Sequence, residues 1–325
     1  MSRRRIRVLA TVVVTSAAFA YILTQVDLHK TWEILTSASV PWLVLSAVLT
    51  LITVPPMGLR WQLLLRARGV HESVPWLTRT YFVSYAVGQV LPTSVGGDAS
   101  RIFETSRRHP GRITPITGSV LLERALGLAV TLLLAGIGLL LAIGRYPIGP
   151  YLWVELIFVV GTIVVAFVFF SRSVRARLRF TLPYVRRLRI ERPARAVYEG
   201  LHGYRDHPQT LVWVALITAA AQLTRVVAIY ASGRAVGIEL GVLPYVVLGP
   251  LLFLVMLVPF TVNGIGVREA FFISFLGKLS VPHDQAFACG FLFFLMTVLL
   301  ALPGVGIVLW ENVARRAAAV PDGTT

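Results

Sequence analysis

The sequence has few of the residues that soluble proteins carry on their surfaces. Only 14% of its 325 residues are charged, and 15 acidic side chains stand against 31 basic ones. Soluble domains contain about a quarter charged residues. The single cysteine, Cys289, cannot form an intramolecular disulfide, and the six histidines form no HExxH motif. We therefore expect neither an ordinary soluble domain nor a metal site, and we predict no cofactor.

Long apolar runs take the place of the missing polar surface. Hydrophobic residues make up 56% of the chain, and its mean hydropathy is +0.75. Several runs reach the roughly 20 residues that are needed to cross a bilayer. Residues 1–325 are therefore predicted to form a single integral membrane domain, all-α and polytopic, with about six full spans. The predicted spans are Val8–Val26, Val40–Leu59, Ile113–Ile143, Tyr151–Phe170, Thr210–Ser232 and Asp284–Trp310.

The basic residues indicate the orientation of these spans. The net charge is +16, but the arginines gather at the ends of apolar runs. This is the positive-inside pattern of membrane proteins, and it differs from the basic surface of a nucleic-acid-binding protein. We therefore predict a multi-pass protein of the cytoplasmic (inner) membrane with both termini in the cytoplasm. The arginine-rich segment 171–208 is predicted to be a basic cytoplasmic linker, and no nucleic-acid partner is expected.

Two apolar segments do not fit as full spans. Four predicted spans precede the linker, so both flanks of Pro75–Arg108, which are rich in arginine, lie in the cytoplasm. This segment is predicted to enter the membrane, turn at Pro92–Asp98 and leave on the same side. The runs Leu243–Phe260 and Val267–Leu279 have few basic neighbours. They predict a second re-entrant helical hairpin, which enters from the outside.

An internal repeat relates the two hairpins. The stretch PTSVGGDASR (Pro92–Arg101) shares proline, valine, glycine and arginine at matching positions with PFTVNGIGVR (Pro259–Arg268). The spans before the two stretches cross in opposite directions, so the halves 40–143 and 209–310 are predicted to be inverted repeats. Paired segments interrupted by glycine and proline in such repeats indicate a transporter site near the bilayer midplane. The alternative is a duplication that now serves only as a scaffold.

The glycine-rich tips predict a site for a phosphate group. Non-helical backbone at membrane depth is tolerated only inside protein or beside a wet cavity. Asp98 is a candidate N-cap for a helix that begins near Ala99, and Asn263 is its counterpart in the second tip. Helix N-termini attract anions, and Arg101 and Arg268 can hold a phosphate in a bidentate way. The alternative for each arginine is snorkelling to the membrane interface.

Charged residues inside the predicted spans complete the candidate site. Each costs about 2.5–3.5 kcal/mol at the bilayer centre, so such residues usually face an interior or a cavity. Adjacent Glu123 and Arg124 cannot face each other on a helix and need separate partners, and Arg225 has no acidic neighbour on its own helix. The alternative is a purely structural network of ion pairs. The candidate lipid- and phosphate-binding residues are Gly96, Gly97, Asp98, Arg101, Glu123, Arg124, Arg225, Asn263, Gly264, Gly266, Arg268 and Glu269.

These motifs carry a family resemblance. In this order, Gly96-Gly97-Asp98 with Arg101, Glu123-Arg124, and Gly264-Ile265-Gly266-Val267-Arg268-Glu269 resemble the lysylphosphatidylglycerol synthase transmembrane (flippase-like) family. That family is similar to the membrane half of the multiple peptide resistance factor. The resemblance covers about residues 5–315 and implies a polytopic plasma-membrane protein that moves lipids between leaflets. Full-length members add a soluble aminoacyl-transferase domain. The chain ends 15 residues after Trp310, so we expect no aminoacyl transfer.

The predicted function is therefore a lipid flippase and not an enzyme. It would move a phosphate-bearing lipid, aminoacylated or glycosylated, between the leaflets of the cytoplasmic membrane. The expected partners are membrane lipids with an anionic phospholipid or polyprenyl-phosphate-linked headgroup, together with a second copy of the chain or a separate lipid synthase. Two alternatives stay open. One is a membrane enzyme that uses Asp98, Glu123 or Glu269 as acid or base on a lipid-linked substrate, and the other is a scaffold for a separate lipid synthase.

Overall fold

The computed structural model of the protein describes residues 26–90, 96–147, 149–170, 203–204, 206–257, 264 and 266–318. All regular secondary structure in these ranges is helical, which confirms the all-α prediction. The helices are α1 (Leu28–Thr36), α2 (Val40–Ile52), α3 (Val54–Arg66), α4 (Val74–Val90), α5 (Gly96–Arg108), α6 (Ile113–Ala142), α7 (Gly149–Phe170), α8 (Pro208–Ala235), α9 (Leu243–Leu257), α10 (Val267–Gly277) and α11 (His283–Ala318).

Four stretches of the described chain are long and apolar enough to cross a membrane, which supports the prediction of a polytopic protein. Helix α7 begins two residues before the predicted span Tyr151–Phe170 and ends with it. All but the last residue of the first predicted span, and most of the linker 171–208, lie outside the described residues. The four stretches are Val40–Arg66, Ile113–Ala142, Pro208–Ala235 and His283–Val313.

The span that contains α2 and α3 is longer than the sequence predicts. Pro55 and Pro56 lack the backbone N–H groups that would continue α2. Thr53, between the two helices, keeps helical angles of φ −69° and ψ −20°, so the chain continues as a helix to Arg66. The prediction that this span ends at Leu59 is therefore wrong. The apolar residues that follow Leu59 extend the helix, and they carry Arg60 into the bundle.

The two halves of the chain contain the same order of helices. In the first half, the span α2–α3 is followed by the pair α4–α5 and then by α6. In the second half, α8 is followed by the pair α9–α10 and then by α11. The halves exchange contacts reciprocally, because α4 packs on α11, α9 packs on α6, and α2 packs on α8. This is the arrangement expected of two related repeats, while the limits 40–143 and 209–310 stay a prediction.

Helices α4 and α5 form a first hairpin whose open ends lie together. Glu72, just before α4, forms an ion pair with Arg108 at the end of α5, with 3.0 Å between Oε1 and Nε. Arg79 of α4 forms ion pairs with Glu104 of α5 and with Glu311 near the end of α11. The first hairpin therefore opens at the C-terminal end of α11. Its tip, residues 91–95, lies outside the described residues.

Helices α9 and α10 form a second hairpin, which opens at the other end of α11. Gly237, which precedes α9, lies beside Gln285, and Gly277 at the end of α10 lies beside His283, the first residue of α11. From His283 to Glu311, α11 is roughly 40 Å long at 1.5 Å per residue. The two hairpins therefore enter the bundle from opposite ends, as the sequence predicts.

Helix α1 begins at a side-chain cap near the opening of the second hairpin. The carboxylate of Asp27 accepts hydrogen bonds from the backbone N–H groups of Lys30 (3.2 Å) and His29 (2.9 Å). Both bonds lower the pKa of the Asp27 carboxyl, and the bond from Lys30 has the larger effect. The backbone N–H of Asp27 donates to Asp284 at 2.8 Å, which holds the start of α1 against the start of α11.

Exposed tryptophans lie at both ends of the bundle. Trp32 in α1 and Trp153 in α7 lie at the end where the second hairpin opens, and they are 66% and 67% exposed. Trp213 near the start of α8 and Trp310 near the end of α11 lie at the other end. Tryptophan is enriched where membrane meets water, so these positions agree with a bundle that spans the membrane between its two ends.

Candidate functional site

A cavity of about 470 Å³ lies between the two hairpins, in the middle of the bundle. Its walls come from the central parts of α6, α8 and α11, from the region where α2 meets α3, and from α4, α5 and α9 near the hairpin tips. This is the depth at which the repeat predicts a site. The charged residues that line the cavity are Arg60, Asp98, Arg101, Glu123, Arg124 and Arg225.

Glu123 is the centre of a buried network on one wall. It is 4% exposed, and its two oxygens accept hydrogen bonds from the guanidinium groups of Arg60 and Arg101. The Tyr81 hydroxyl also donates to Glu123 Oε1 at 2.5 Å. Arg60 donates from Nη1 to the Thr218 hydroxyl (3.0 Å), while its Nε has no partner among the described residues. The network therefore joins α3, α4, α5, α6 and α8 through one carboxylate.

Arg101 is held on every side by protein groups. It is 2% exposed and donates from Nη1 to the Tyr81 hydroxyl (2.7 Å) and to Glu123 Oε2 (3.0 Å). Its guanidinium lies 4.8 Å from the ring centroid of Trp61 and 4.7 Å from that of Tyr81. Such cation–π contacts are worth about 2 kcal/mol when they are desolvated. Arg101 therefore stabilises the start of the first hairpin's second arm, and its hydrogen-bonding capacity is largely occupied.

Asp98 connects that arm to α6. Its Oδ1 accepts from Arg101 Nε at 3.0 Å, and its Oδ2 binds Arg124 Nε. The sequence predicts Asp98 as the N-cap of a helix that begins near Ala99, and this prediction is wrong. Helix α5 begins at Gly96, so Asp98 lies in its first turn, where a negative charge also favours the helix dipole. Glu123 and Arg124 do find separate partners, as their positions on the helix require.

Gly97 allows the two arms of the first hairpin to approach closely. A Cβ atom at Gly97 would lie 2.6 Å from the backbone oxygen of Ser84 on α4. No side chain is tolerated at that distance, so Gly97 brings the first turn of α5 against α4. Asp98 and Arg101 are thereby placed on the cavity wall beside Tyr81.

Arg225 differs from the other arginines of the cavity. It lies halfway along α8, is partly buried, and donates from Nη2 to the Met57 sulfur and to the Tyr85 hydroxyl, both at 3.2 Å. No carboxylate among the described residues forms an ion pair with it. The charge of Arg225 is therefore available to a ligand in the cavity.

The cavity has an excess of positive charge. Four guanidinium groups, those of Arg60, Arg101, Arg124 and Arg225, stand against the two carboxylates of Asp98 and Glu123. The described lining residues therefore carry a formal charge of +2. An intramembrane site with this balance binds an anion more readily than a cation, because charge at low dielectric needs a partner.

The second hairpin holds a separate ion pair. Arg268 is 1% exposed, donates to Glu269 Oε1 from Nε (2.8 Å) and Nη2 (2.5 Å), and lies 4.8 Å from the ring centroid of Phe294. Glu269 Oε2 accepts from the backbone N–H of Gly266 at 2.7 Å. Gly266 has a φ of 87° and is the N-cap of α10, so the expectation of an Asn263 cap is wrong. Asn263 itself lies outside the described residues.

The structure does not bring the two matched arginines to one cavity. Arg101 lines it, whereas Arg268, Glu269, Gly264 and Gly266 are not among its lining residues. Gly264 lies close to it, because a Cβ atom there would be 2.8 Å from the Met256 side chain, which does line the cavity. The predicted anion site shared by Arg101 and Arg268 therefore has no common cavity in the described residues.

Among the described residues, two buried charged side chains are absent from the sequence-based candidates. By sequence, Arg60 belongs to the arginine-rich flank before Pro75, which is predicted to be cytoplasmic, but it is 7% exposed and bound to Glu123. The apolar residues that continue past it were the signal for its position within the span. Glu155 of α7 is 9% exposed, and its Oε2 has no hydrogen-bond partner among the described residues. It lies outside the cavity, and its position inside the predicted span Tyr151–Phe170 is the signal that could have identified it.

Comparison with known proteins agrees with the motifs and the fold. The sequence model of the family described as "Lysylphosphatidylglycerol synthase TM region" matches residues 8–304. The match includes both hairpins and every residue that lines the cavity. No curated protein matches the chain. The chain belongs to the lysylphosphatidylglycerol synthase transmembrane family, whose members are membrane proteins of lipid modification or transport.

Proposed function

We propose that the protein moves a phosphate-bearing lipid between the two leaflets of the cytoplasmic membrane, and that the cavity binds the headgroup on the way. The observation that carries this proposal is the formal charge of +2 on a cavity in the middle of the bundle. Unpaired charge at that depth is expensive, so it is retained where it has a function. A phosphate group is the anion that every membrane phospholipid supplies.

The opposed hairpins support a route from each leaflet to this cavity. The first hairpin opens at one end of α11 and the second opens at the other, and both lead to the cavity walls. Inverted pairs of broken helices around a central site support alternating access in many transporters. The ion pair between Arg124 and Asp98 joins the first hairpin to α6, and it is one contact that a change of access would break.

The carboxylates of the cavity support a binding role over acid–base catalysis. Glu123 and Asp98 are each bound by two guanidinium groups, which hold the negative charge in place. A general acid or base needs a proton that it can exchange with substrate. The transmembrane region is also the non-catalytic part of the synthases that name this family.

Lipid exchange in liposomes tests this function. We would reconstitute the wild type, Arg225→Gln and the control Arg234→Gln with fluorescent phosphatidylglycerol, and follow quenching of the outer-leaflet label. Arg234 lies on the same helix as Arg225, but it stacks on Trp42 at 5.7 Å and does not line the cavity. We expect fast exchange for the wild type and the control, and at least roughly tenfold slower exchange for Arg225→Gln. Wild-type exchange no faster than in protein-free liposomes would overturn the proposal.

A further inference from the structure

We propose that the cavity opens sideways to the bilayer beside α6, and that a phospholipid occupies this opening with its phosphate at Arg124 and its acyl chains outside the bundle. This rests on the proposed function only in taking the cavity as the place where a headgroup binds. It adds the route by which the lipid reaches the cavity, and it names the part of the lipid that enters.

The size of the cavity separates the headgroup from the acyl chains. A volume of about 470 Å³ is typical of pockets that hold one drug-sized molecule, which measure about 300–1,000 Å³. Each acyl chain of a phospholipid reaches across half of the hydrocarbon core, so it is roughly 15 Å long. A headgroup fits the cavity, whereas two such chains do not fit beside it. The chains must therefore stay in the bilayer, and the cavity wall needs a lateral opening through which the headgroup enters.

The exposure of the lining residues locates this opening. Among the described residues that line the cavity, Arg124 of α6 and Leu257 of α9 are exposed, whereas the others are buried or partly buried. The side chain of Arg124 is 41% exposed, and Leu257 is 46% exposed. The cavity therefore reaches the surface of the bundle at these two residues.

Helices α6 and α9 run in opposite directions. Helix α9 begins at the end of the bundle where the second hairpin opens. Near the start of α7, the hydroxyl of Tyr151 forms a 3.0 Å hydrogen bond with the hydroxyl of Ser274, which lies near the end of α10. This contact places the connection from α6 to α7 at the same end of the bundle. Helix α6 therefore ends where α9 begins.

The antiparallel packing brings the two exposed residues together. A Cβ atom at Gly138 of α6 would lie 2.8 Å from the backbone oxygen of Val246 on α9, so these two residues are level. Because both helices rise by about 1.5 Å per residue, Leu257, eleven residues further along α9, is level with Gly127. Arg124 lies about one helical turn beyond Gly127, where α9 has ended. A Cβ atom at Gly127 would meet nothing within 4 Å, so there is open space beside α6 at this level.

The charge at this opening suits a lipid phosphate. Arg124 lies in the middle part of the span Ile113–Ala142, at the depth of the hydrocarbon core. A charged side chain that faces hydrocarbon is costly, and a phosphate group in the opening supplies a counter-charge. Asp98, which also lines the cavity, holds Arg124 in an ion pair at the wall. Leu257 adds an apolar rim on which the first part of the acyl chains can pack.

Aromatic side chains cover the corresponding point in the other half of the chain. There α4 ends against α11, and Gln89 donates from Nε2 to the backbone oxygen of Thr297 at 3.1 Å. Phe293, about one turn away on α11, is partly buried, and its ring centroid lies 6.2 Å from that of Phe253. In the described part of the chain, the cavity is therefore open to lipid at α6, and phenylalanines cover it at α11.

Photolabelling in nanodiscs tests where each part of the lipid lies. Two phosphatidylglycerol probes, at low abundance in phosphatidylcholine, carry a diazirine either in an acyl chain or on the headgroup. We expect the chain probe to label Leu257 at least about fivefold more than Ile157, an exposed residue of α7 outside the cavity, because Leu257 borders a binding site. The headgroup probe should label Gln222, which lines the interior. Equal chain labelling of Leu257 and Ile157 would overturn the proposal, and so would chain labelling of Thr131, a buried lining residue.

Substitutions of Arg124 test the role of its charge. We expect Arg124→Gln to lower the chain labelling of Leu257 to the level of Ile157. Arg124→Lys should retain part of the labelling, because lysine keeps the charge but loses the planar fork that binds phosphate. The labelling of Ile157 should stay the same in both variants, since it reports on bulk lipid. Unchanged labelling of Leu257 in Arg124→Gln would mean that only unbound lipid surrounds this position, which would contradict the proposal.

A matched pair of glycine substitutions tests the open space itself. Gly127→Leu places a side chain in the opening, and we expect about tenfold lower chain labelling of Leu257 because the lipid loses its place there. Gly161→Leu on α7 is the control, since its Cβ also meets nothing within 4 Å and it does not line the cavity. This control should label as the wild type does. Wild-type labelling in Gly127→Leu would refute the opening.

The two proposals fail in different ways. If the chain probe labels Leu257 as expected but liposomes containing the protein exchange no lipid, the lateral opening stands and translocation is wrong. If liposomes exchange lipid quickly but the chain probe labels Thr131, translocation stands and the lateral opening is wrong.

Discussion

Replacing Glu123 by glutamine removes the negative charge that Arg60 and Arg101 share. After the change, Arg101 keeps its ion pair with Asp98, but Arg60 has no charged partner left among the described residues and keeps its hydrogen bond to the Thr218 hydroxyl. At an effective dielectric of about 20, two unit charges about 4 Å apart attract by about 4 kcal/mol. Removing one partner of a buried pair costs about 3–5 kcal/mol. Glutamine retains the shape and can still accept hydrogen bonds, so we expect the free energy of unfolding to fall by about 3 kcal/mol.

A double-mutant cycle with Arg60→Gln measures this effect. The assay is equilibrium unfolding in mixed micelles with increasing denaturing detergent, for the wild type, both single variants and the double variant. The double variant leaves no unpaired charge at this pair, so its destabilisation should be smaller than the sum of the single effects by about 2 kcal/mol. Additive effects, within about 0.5 kcal/mol, would refute the network as the source of stability.

A matched control distinguishes burial from loss of charge alone. Glu33 of α1 contacts His29 at 3.3 Å, and both side chains are exposed. Exposed pairs contribute about 0–1 kcal/mol, so Glu33→Gln should change the free energy of unfolding by no more than about 0.5 kcal/mol. If Glu33→Gln and Glu123→Gln had equal effects, burial of the Glu123 network would not explain the result.

Three further changes test the fold. In Gly304→Ala, the new Cβ would lie 2.0 Å from the backbone oxygen of Phe82, where α11 packs on α4. The change should therefore lower the free energy of unfolding by about 1–3 kcal/mol in the same unfolding assay. Glu155→Gln should unfold at the same detergent concentration as the wild type or at a higher one, because the described residues give this buried carboxylate no ion pair to lose. Exposed single cysteines placed at the two ends of the bundle should react with an impermeant maleimide from opposite sides of the membrane. The positions are His71 and Arg107 at one end, and His29 and Glu239 at the other.

Two of these three changes have a control within the chain. Gly306 is on the same helix as Gly304 with nothing within 4 Å of its Cβ position, so Gly306→Ala should unfold as the wild type does. Destabilisation of Gly306→Ala equal to that of Gly304→Ala would contradict the close packing of α11 on α4. Cys289, which is 0% exposed, should not react in the intact protein. Labelling at positions 71 and 107 from different sides of the membrane would exclude a re-entrant first hairpin. A large loss of stability in Glu155→Gln would indicate that Glu155 has a charged partner.

Much of the fold was predictable because its causes are local. A run of apolar residues long enough to cross a bilayer must form a helix, since no water is present to satisfy its backbone groups. Glycine and proline in PTSVGGDASR, at Pro92–Arg101, must interrupt such a run. Charged residues such as Glu123, Arg124 and Arg225 must face the interior, because lipid does not solvate them. These arguments need only the order of residues along the chain.

The candidate site itself depended on distances between helices that no local pattern contains. Arg60 pairs with Glu123 across 63 residues, and Arg225 reaches Tyr85 across 140. Sequence alone allowed Arg101 and Arg268 as equivalent phosphate ligands, because both follow a matched proline. In the folded protein, Arg101 pairs with Glu123 and Asp98, and Arg268 pairs with Glu269. Among the described cavity residues, the charge without a carboxylate partner is that of Arg225. The sequence therefore determined that this chain carries charged residues inside a membrane. Only the packing of the helices decided which of these charges form ion pairs.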